Sequence, residues 1–156
     1  MARRGDILKS GTLWQRNCAE AISSLGDSIL ALETLVGANT LASGVYTPTA
    51  TIVVNVAAAT SYQAQYSRVG SVVTVSGKVD ITPSAAGSVA EVGLSLPIAS
   101  NLGANEDCGG SAATVNIFGE AAAVIADATN DRARVRWIPG TTSSCSFFYS
   151  YAYRII

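Results

Sequence analysis

The sequence predicts an all-β fold, an antiparallel β-sandwich of jelly-roll type, preceded by an N-terminal helix. Three observations predict it. Apolar and polar residues alternate over residues 62–83, again over 132–137 and again over the last ten residues. Turn signals recur between such runs at sandwich-like spacing. No helix-length segment falls between them, which argues against parallel βαβ units.

The N-terminal part follows a different rule. Residues 1–11, with Arg3 and Arg4 near the start, read as an arm that depends on a partner for its order. From Thr12 the apolar spacing becomes three and four: Ile22, Leu25, Ile29, Leu32 and Val36, with Cys18 extending the seam. This is a heptad pattern with Ile and Val at a and Leu at d. Ser10 or Thr12 is the candidate N-cap, and Gly37 with Asn39 the stop. The helix reads either as one that docks on its own β-domain or as a short coiled coil between copies. Leu30 and Leu35 widen the stripe, Gly26 weakens its middle, and the heptads are too few to fix a number of strands.

Residues 38–48 read as a linker of small residues, so the expected division is 1–37, 38–48 and 49–156. Residues 49–56 are β-rich, and Ala57-Ala58-Ala59 close that run. The central ribbon comes next. Val73, Val75, Val79 and Ile81 share one face, with Gly77 in the gap, and Thr74, Ser76, Lys78, Asp80 and Thr82 take the other. Arg68-Val69-Gly70-Ser71 is the hairpin break before it. Val92, Leu94 and Leu96 alternate until Pro97. A long polar loop over 101–110 holds Glu106, Asp107 and Cys108, and Ala113, Val115 and Ile117 predict a strand after it. Residues 121–128 form another run. Asn130-Asp131 is a tight turn, because both types tolerate positive φ. Ala133, Val135 and Trp137 then oppose Arg132, Arg134 and Arg136. The last strand places Phe147, Tyr149, Tyr151, Tyr153 and Ile155 on one face, and Phe148 breaks the division.

Composition excludes several functions. The chain has 156 residues, 49% apolar and 13% charged, which is a folded chain and not a disordered one. A net charge of −1 gives no field to attract nucleic acid or an anionic membrane. No apolar run is long enough to cross a bilayer, and the basic N-terminus lacks the apolar core of a signal peptide. Synthesis and folding in a cytoplasm are therefore expected. The chain has no histidine, which removes Ser-His-Asp and Cys-His nucleophiles and His-ligated zinc. No enzyme activity and no cofactor are expected. Cys18, Cys108 and Cys145 are an odd set without metal-site spacing and read as buried thiols, with a Cys108–Cys145 bond left open.

The candidate sites are few. Glu106-Asp107, with Glu120 and Asp127, are the carboxylates a glycosidase pair would draw on, but adjacent loop residues rarely oppose each other as that chemistry requires. Asn101, Asn105, Glu106 and Asp107 are a weak calcium set. Arg132, Arg134 and Arg136 offer a surface-contact patch for an anionic ligand, against the plainer reading of a solvated face or ion pairs. Trp137 and the last strand's tyrosines read as core, with sugar stacking as the sharper alternative. Trp14 is either an anchor for the arm in a partner or packing for its own helix.

Five pieces recur in order along the second part: Tyr46-Thr47-Pro48-Thr49; Tyr66-Ser67-Arg68-Val69-Gly70 with Val73-Thr74-Val75-Ser76-Gly77; Leu96-Pro97-Ile98-Ala99-Ser100-Asn101; Ala126-Asp127-Ala128; and Tyr151-Ala152-Tyr153-Arg154-Ile155-Ile156. On these the chain resembles a C-terminal β-domain of bacteriophage fibre and virion-surface proteins. The resemblance implies a homotrimeric, fibre-like virion component whose β-sandwich knob contacts the host surface. The heptad residues would then hold the oligomer, and Arg3, Arg4 and Trp14 would attach the chain to other virion proteins. A host surface polysaccharide is the candidate external partner, and no nucleic acid or membrane insertion is expected. Linked copies can bind tightly through weak sites, and such a role needs no acid–base chemistry. A capsid decoration or cement protein is the alternative, and a carbohydrate-binding module or glycan-active enzyme the second.

Overall fold

The computed structural model describes residues 16–28 and 41–156. The chain divides into two compact units, Met1–Asn39 and Thr40–Ile156. In the first, residues 16–28 form a helix, α1. Ile22 and Leu25 are 71% and 65% exposed, and Cys18 is half-buried. The other seam residues, Ile29, Leu32 and Val36, lie outside the described residues. So do Arg3, Arg4, Trp14 and the expected caps Ser10, Thr12 and Gly37. No described helix is long and apolar enough to cross a membrane.

The second unit is antiparallel β. Its strands are β1 (Leu41–Tyr46), β2 (Ala50–Val54), β3 (Val56–Ser61), β4 (Ala64–Val69), β5 (Val72–Pro83), β6 (Ala90–Ser95), β7 (Cys108–Thr114), β8 (Ala121–Asp127), β9 (Arg132–Trp137) and β10 (Cys145–Arg154). They form one curled sheet in the order β1-β4-β5-β10-β7-β8-β9-β6-β2, with β3 also paired to β5. Only Asn55 separates β2 from β3. The first pairs with β6 and the second with β5, so one bent segment joins the two arms of the curl. Asn55 makes the corner. Its φ is 50°, a conformation Asn tolerates, and its side-chain amide donates to the Ala85 and Ser88 carbonyls at 2.9 and 3.1 Å.

The core lies inside the curl. Val73, Val75, Val79 and Ile81 of β5 are fully buried, as the alternation predicts. The β4–β5 hairpin turns at Gly70-Ser71, where Gly70 has a φ of 60°. On β10, Cys145, Phe147, Tyr149, Tyr151 and Tyr153 alternate inward. Phe147 meets Trp137 edge-on, with ring centroids 5.0 Å apart. Two of the three β10 tyrosine hydroxyls find partners. Tyr151 and Tyr46 share a hydrogen bond of 3.1 Å, and Tyr153 donates to the Ile98 carbonyl at 2.7 Å.

Three expectations need correction. Leu41–Tyr46, placed in the linker, is the edge strand β1. Gly44 there lets the Tyr66 ring lie close, since a Cβ would stand 3.1 Å from it, and the Tyr46 hydroxyl ties the strand's end to the core. Ala57-Ala58-Ala59 lie within β3 instead of closing the preceding run. The strand expected around Ala113, Val115 and Ile117 begins earlier, at Cys108, and ends at Thr114. Gly110 faces Tyr151 in the register, and a Cβ there would collide with the β10 backbone. Small residues with no apolar rhythm thus form β7, and at position 110 only a glycine fits because the β10 backbone lies where a Cβ would be. Val115 and Phe118 are left in an exposed turn, at 65% and 100%.

Candidate contact surface

Most of the candidate carboxylates are committed to the fold. Asp107 Oδ2 accepts the Gly103 and Ala104 amides, both at 2.8 Å, within a single 3-10 turn. Glu120 accepts the Gly140 amide at 2.7 Å and lies 3.3 Å from the Cys145 thiol. Asp131 accepts the Ser100 and Leu102 amides at 3.1 and 3.0 Å. Asp80 holds Tyr62 and Ser146 hydroxyls at 2.7 Å and Lys78 at 3.1 Å. Burial pushes the Asp80 carboxyl up, but these donors outweigh it and hold it below its ordinary range. Asp107, Glu120 and Asp127 each bond donors of the fold, while Glu106 is exposed in the turn before β7. No group of three or more His, Cys, Asp or Glu able to hold a metal occurs among the described residues.

The arginine strand is a charge ladder. Arg132 Nε bonds Asp127 at 2.7 Å, directly across the β8–β9 register. Glu91 on β6 takes Arg134 at 3.4 Å and Arg136 at 3.3 Å. Arg132 folds across Gly93, where a Cβ would stand 2.5 Å from Nε. Burial raises the Asp127 carboxyl, yet Arg132 and Asn130 hold it below its ordinary value. Arg132, Arg134 and Arg136 therefore meet acidic partners on their own chain, which leaves little free charge for an anionic ligand.

The aromatic face of β10 is core. Trp137, Tyr149, Tyr151 and Tyr153 are each 5% exposed or less and offer no ring to a sugar. The two thiols are apart as well. Cys108 pairs with Tyr153, and Cys145 lies eight residues back along the same strand (153 − 145). At ~3.3 Å per residue this separation forbids a disulfide. Burial pushes both thiols up to about 12, with Glu120 adding to it at Cys145.

The outer face opposite that core is of another kind. Register places Val45, Gln65, Ser76, Ser150, Ser111 and Ala123 in one row across β1, β4, β5, β10, β7 and β8. The row beside it runs Ser43, Ser67, Thr74, Ala152, Gly109 and Ile125. None of these residues is charged. Phe148 rises next to the first row at 53% exposure, and Val45 is 62% exposed. Grooves of about 480 and 420 Å³ lie on either side of Phe148. The sequence carried one signal of this site: Phe148 is the residue that breaks the alternation of its strand. No family model matches the chain, and no curated protein or solved structure matches it either.

Proposed function

We propose that this chain is a non-enzymatic structural component of a bacteriophage virion. It is a short trimeric fibre whose jelly-roll-like knob meets the host surface and whose N-terminal segment attaches it to the particle. One observation carries the reading. Ile22 and Leu25, at seam spacing on α1, are 71% and 65% exposed, and solvated apolar residues at that spacing call for a second surface. Carboxylates engaged in capping and ion pairs support contact over chemistry.

Two measurements test it. Light scattering of the full chain should give three times 16.0 kDa; the mass of one chain would end the fibre reading. Virions lacking the protein should stay intact and lose adsorption. Fragile heads would instead identify a capsid clamp, and glycan cleavage by the purified protein would identify an enzyme.

A further inference from the structure

We infer that the outer face of small residues bordered by Phe148 is where copies of this chain pack against one another. The inference rests on the association proposed above and gives it a place on the β-unit.

Charge distribution identifies the occupant. The outer surface of β9 and its neighbours carries Arg132, Arg134, Arg136, Glu91 and Asp127. The two rows through Ser76 and Thr74 carry no charge from β1 to β8; Phe148 borders them in the same register row as Lys78, which is paired with Asp80, and Arg154 lies at the opposite margin. A charge-free centre of small side chains, with an exposed ring beside it and charges at the margins, has the anatomy of a protein–protein interface. A charged partner would lose its hydration here and find no counter-ion. The partner must be uncharged where it touches, and this face itself is such a surface.

Shape agrees with chemistry. Ser, Ala, Thr and Gly keep the sheet low, so a second sheet can approach closely. The same residues lack the planar amides and guanidinium groups that hold a sugar ring, and Gln65 is already bonded to Ser76 at 3.1 Å. Six strands at ~4.8 Å and three rows of outward residues give a footprint of roughly 24 Å by 20 Å. That is about 500 Å² before corrugation, of the order of the ~800 Å² each partner gives to a standard interface. Phe148 is a knob between two grooves, so each copy can donate a ring to its neighbour and receive one. The ring and the groove that receives it are different patches of the face, so the contact is head-to-tail and can close into a ring in a trimer.

Cysteine protection in the full chain tests this, in a Cys18→Ser background, with Cys108 and Cys145 shielded at 1% and 0% exposure. Ser150 is exposed in the single chain and central to the face, and Thr129 is exposed in the β8–β9 turn. The thiol from Ser150→Cys should react with maleimide at least about tenfold more slowly than the one from Thr129→Cys, and adding Phe148→Arg should remove the difference. Equal rates in a protein that light scattering shows to be a multimer would overturn this inference and leave the trimer standing. A single-chain mass would overturn both. Equal rates together with lost adsorption of Phe148→Arg virions would reassign the face to the host surface. Both positions point outward, so either variant alone keeps the fold; a far-UV spectrum checks it.

Discussion

Gly77→Ala is a substitution whose sign local preference and packing predict oppositely. Alanine costs the unfolded chain less freedom to lose, so in an open strand position it should stabilise by about 0.5–1 kcal/mol. Position 77 is not open. A Cβ there would lie 2.6 Å from Tyr149 Oη, 2.8 Å from its Cζ and 2.7 Å from the Ala64 Cβ. Tyr149 and Ala64 are 3% and 2% exposed, so neither can swing away. Overpacking of this kind costs about 1–3 kcal/mol, which leaves a net loss of about 1–2 kcal/mol. For a chain of this length that lowers Tm by roughly 2–8 °C. Tyr149→Phe supplies the control. Its hydroxyl is buried without a hydrogen-bond partner. Removing it should be neutral or stabilising by about 1 kcal/mol and should relieve the closest contact. Gly77→Ala should then cost about 0.5–1 kcal/mol less in the Tyr149→Phe background. The assay is thermal unfolding by circular dichroism at one fixed chain concentration, since association moves Tm. A higher Tm for Gly77→Ala, or the same loss in both backgrounds, would refute the close approach of β5 and β10.

Three further predictions follow from the buried groups. Cys108 is raised from 9.0 to about 12 by burial, so its contribution is whole below about pH 9 and is lost as pH climbs towards 12. Urea midpoints at pH 8 and 11 should converge in Cys108→Ala relative to the parent; an identical alkaline decline would reject this. Burial raises the Asp131 carboxyl, but the Leu102, Ser100 and Asn101 amides more than offset it and leave its value depressed. Its stabilisation is present above the ordinary carboxylate range and is lost as pH falls through the depressed value. Asp131→Ala should cost about 1–3 kcal/mol at neutral pH and flatten that acid limb, and Asp131→Asn should cost less because it keeps one acceptor and tolerates the φ of 47°. Glu91→Ala leaves Arg134 and Arg136 facing each other without an acid. The loss should approach the ~3–5 kcal/mol of an orphaned buried pair, reduced because Arg136 is half exposed. No change in the urea midpoint would mean that the ladder is solvated.

Alternation made the centre of this fold legible. The valines of β5 and the aromatics of β10 each repeat at two, and both strands lie where that repeat puts them. The turn at Asn130-Asp131 was equally plain, because few residue types tolerate a φ of 47°. Strands β1 and β7 were not legible. Leu-Ala-Ser-Gly-Val-Tyr and Cys-Gly-Gly-Ser-Ala-Ala-Thr have no apolar period of their own. Gly44 lets β1 lie against the Tyr66 ring and Gly110 lets β7 lie against the β10 backbone, and both contacts are tertiary. The arginine strand showed its alternation but hid its partners. Glu91 lies 43 residues from Arg134 in the chain and reaches it only once β6 and β9 pair.

The two outer surfaces of the curl solve one problem in opposite ways. On β9 the charges are dense, but Asp127 bonds Arg132 and Glu91 bonds Arg134 and Arg136, and of these side chains only Arg136 is half exposed. Drying it would cost several kcal/mol per ion, with no new partner gained in return. Around Phe148 there are hydroxyls, the exposed ring and Lys78, whose charge is already paired with Asp80, and covering the ring is favourable by about 25 cal/mol per Å² of apolar area. A chain that assembles gains most by burying the second surface and leaving the first in solvent. Of the arginines that the sequence offered as the contact patch, Arg136 is therefore the side chain an assembly should keep exposed. The residue that interrupts the pattern of β10 is the one it should cover.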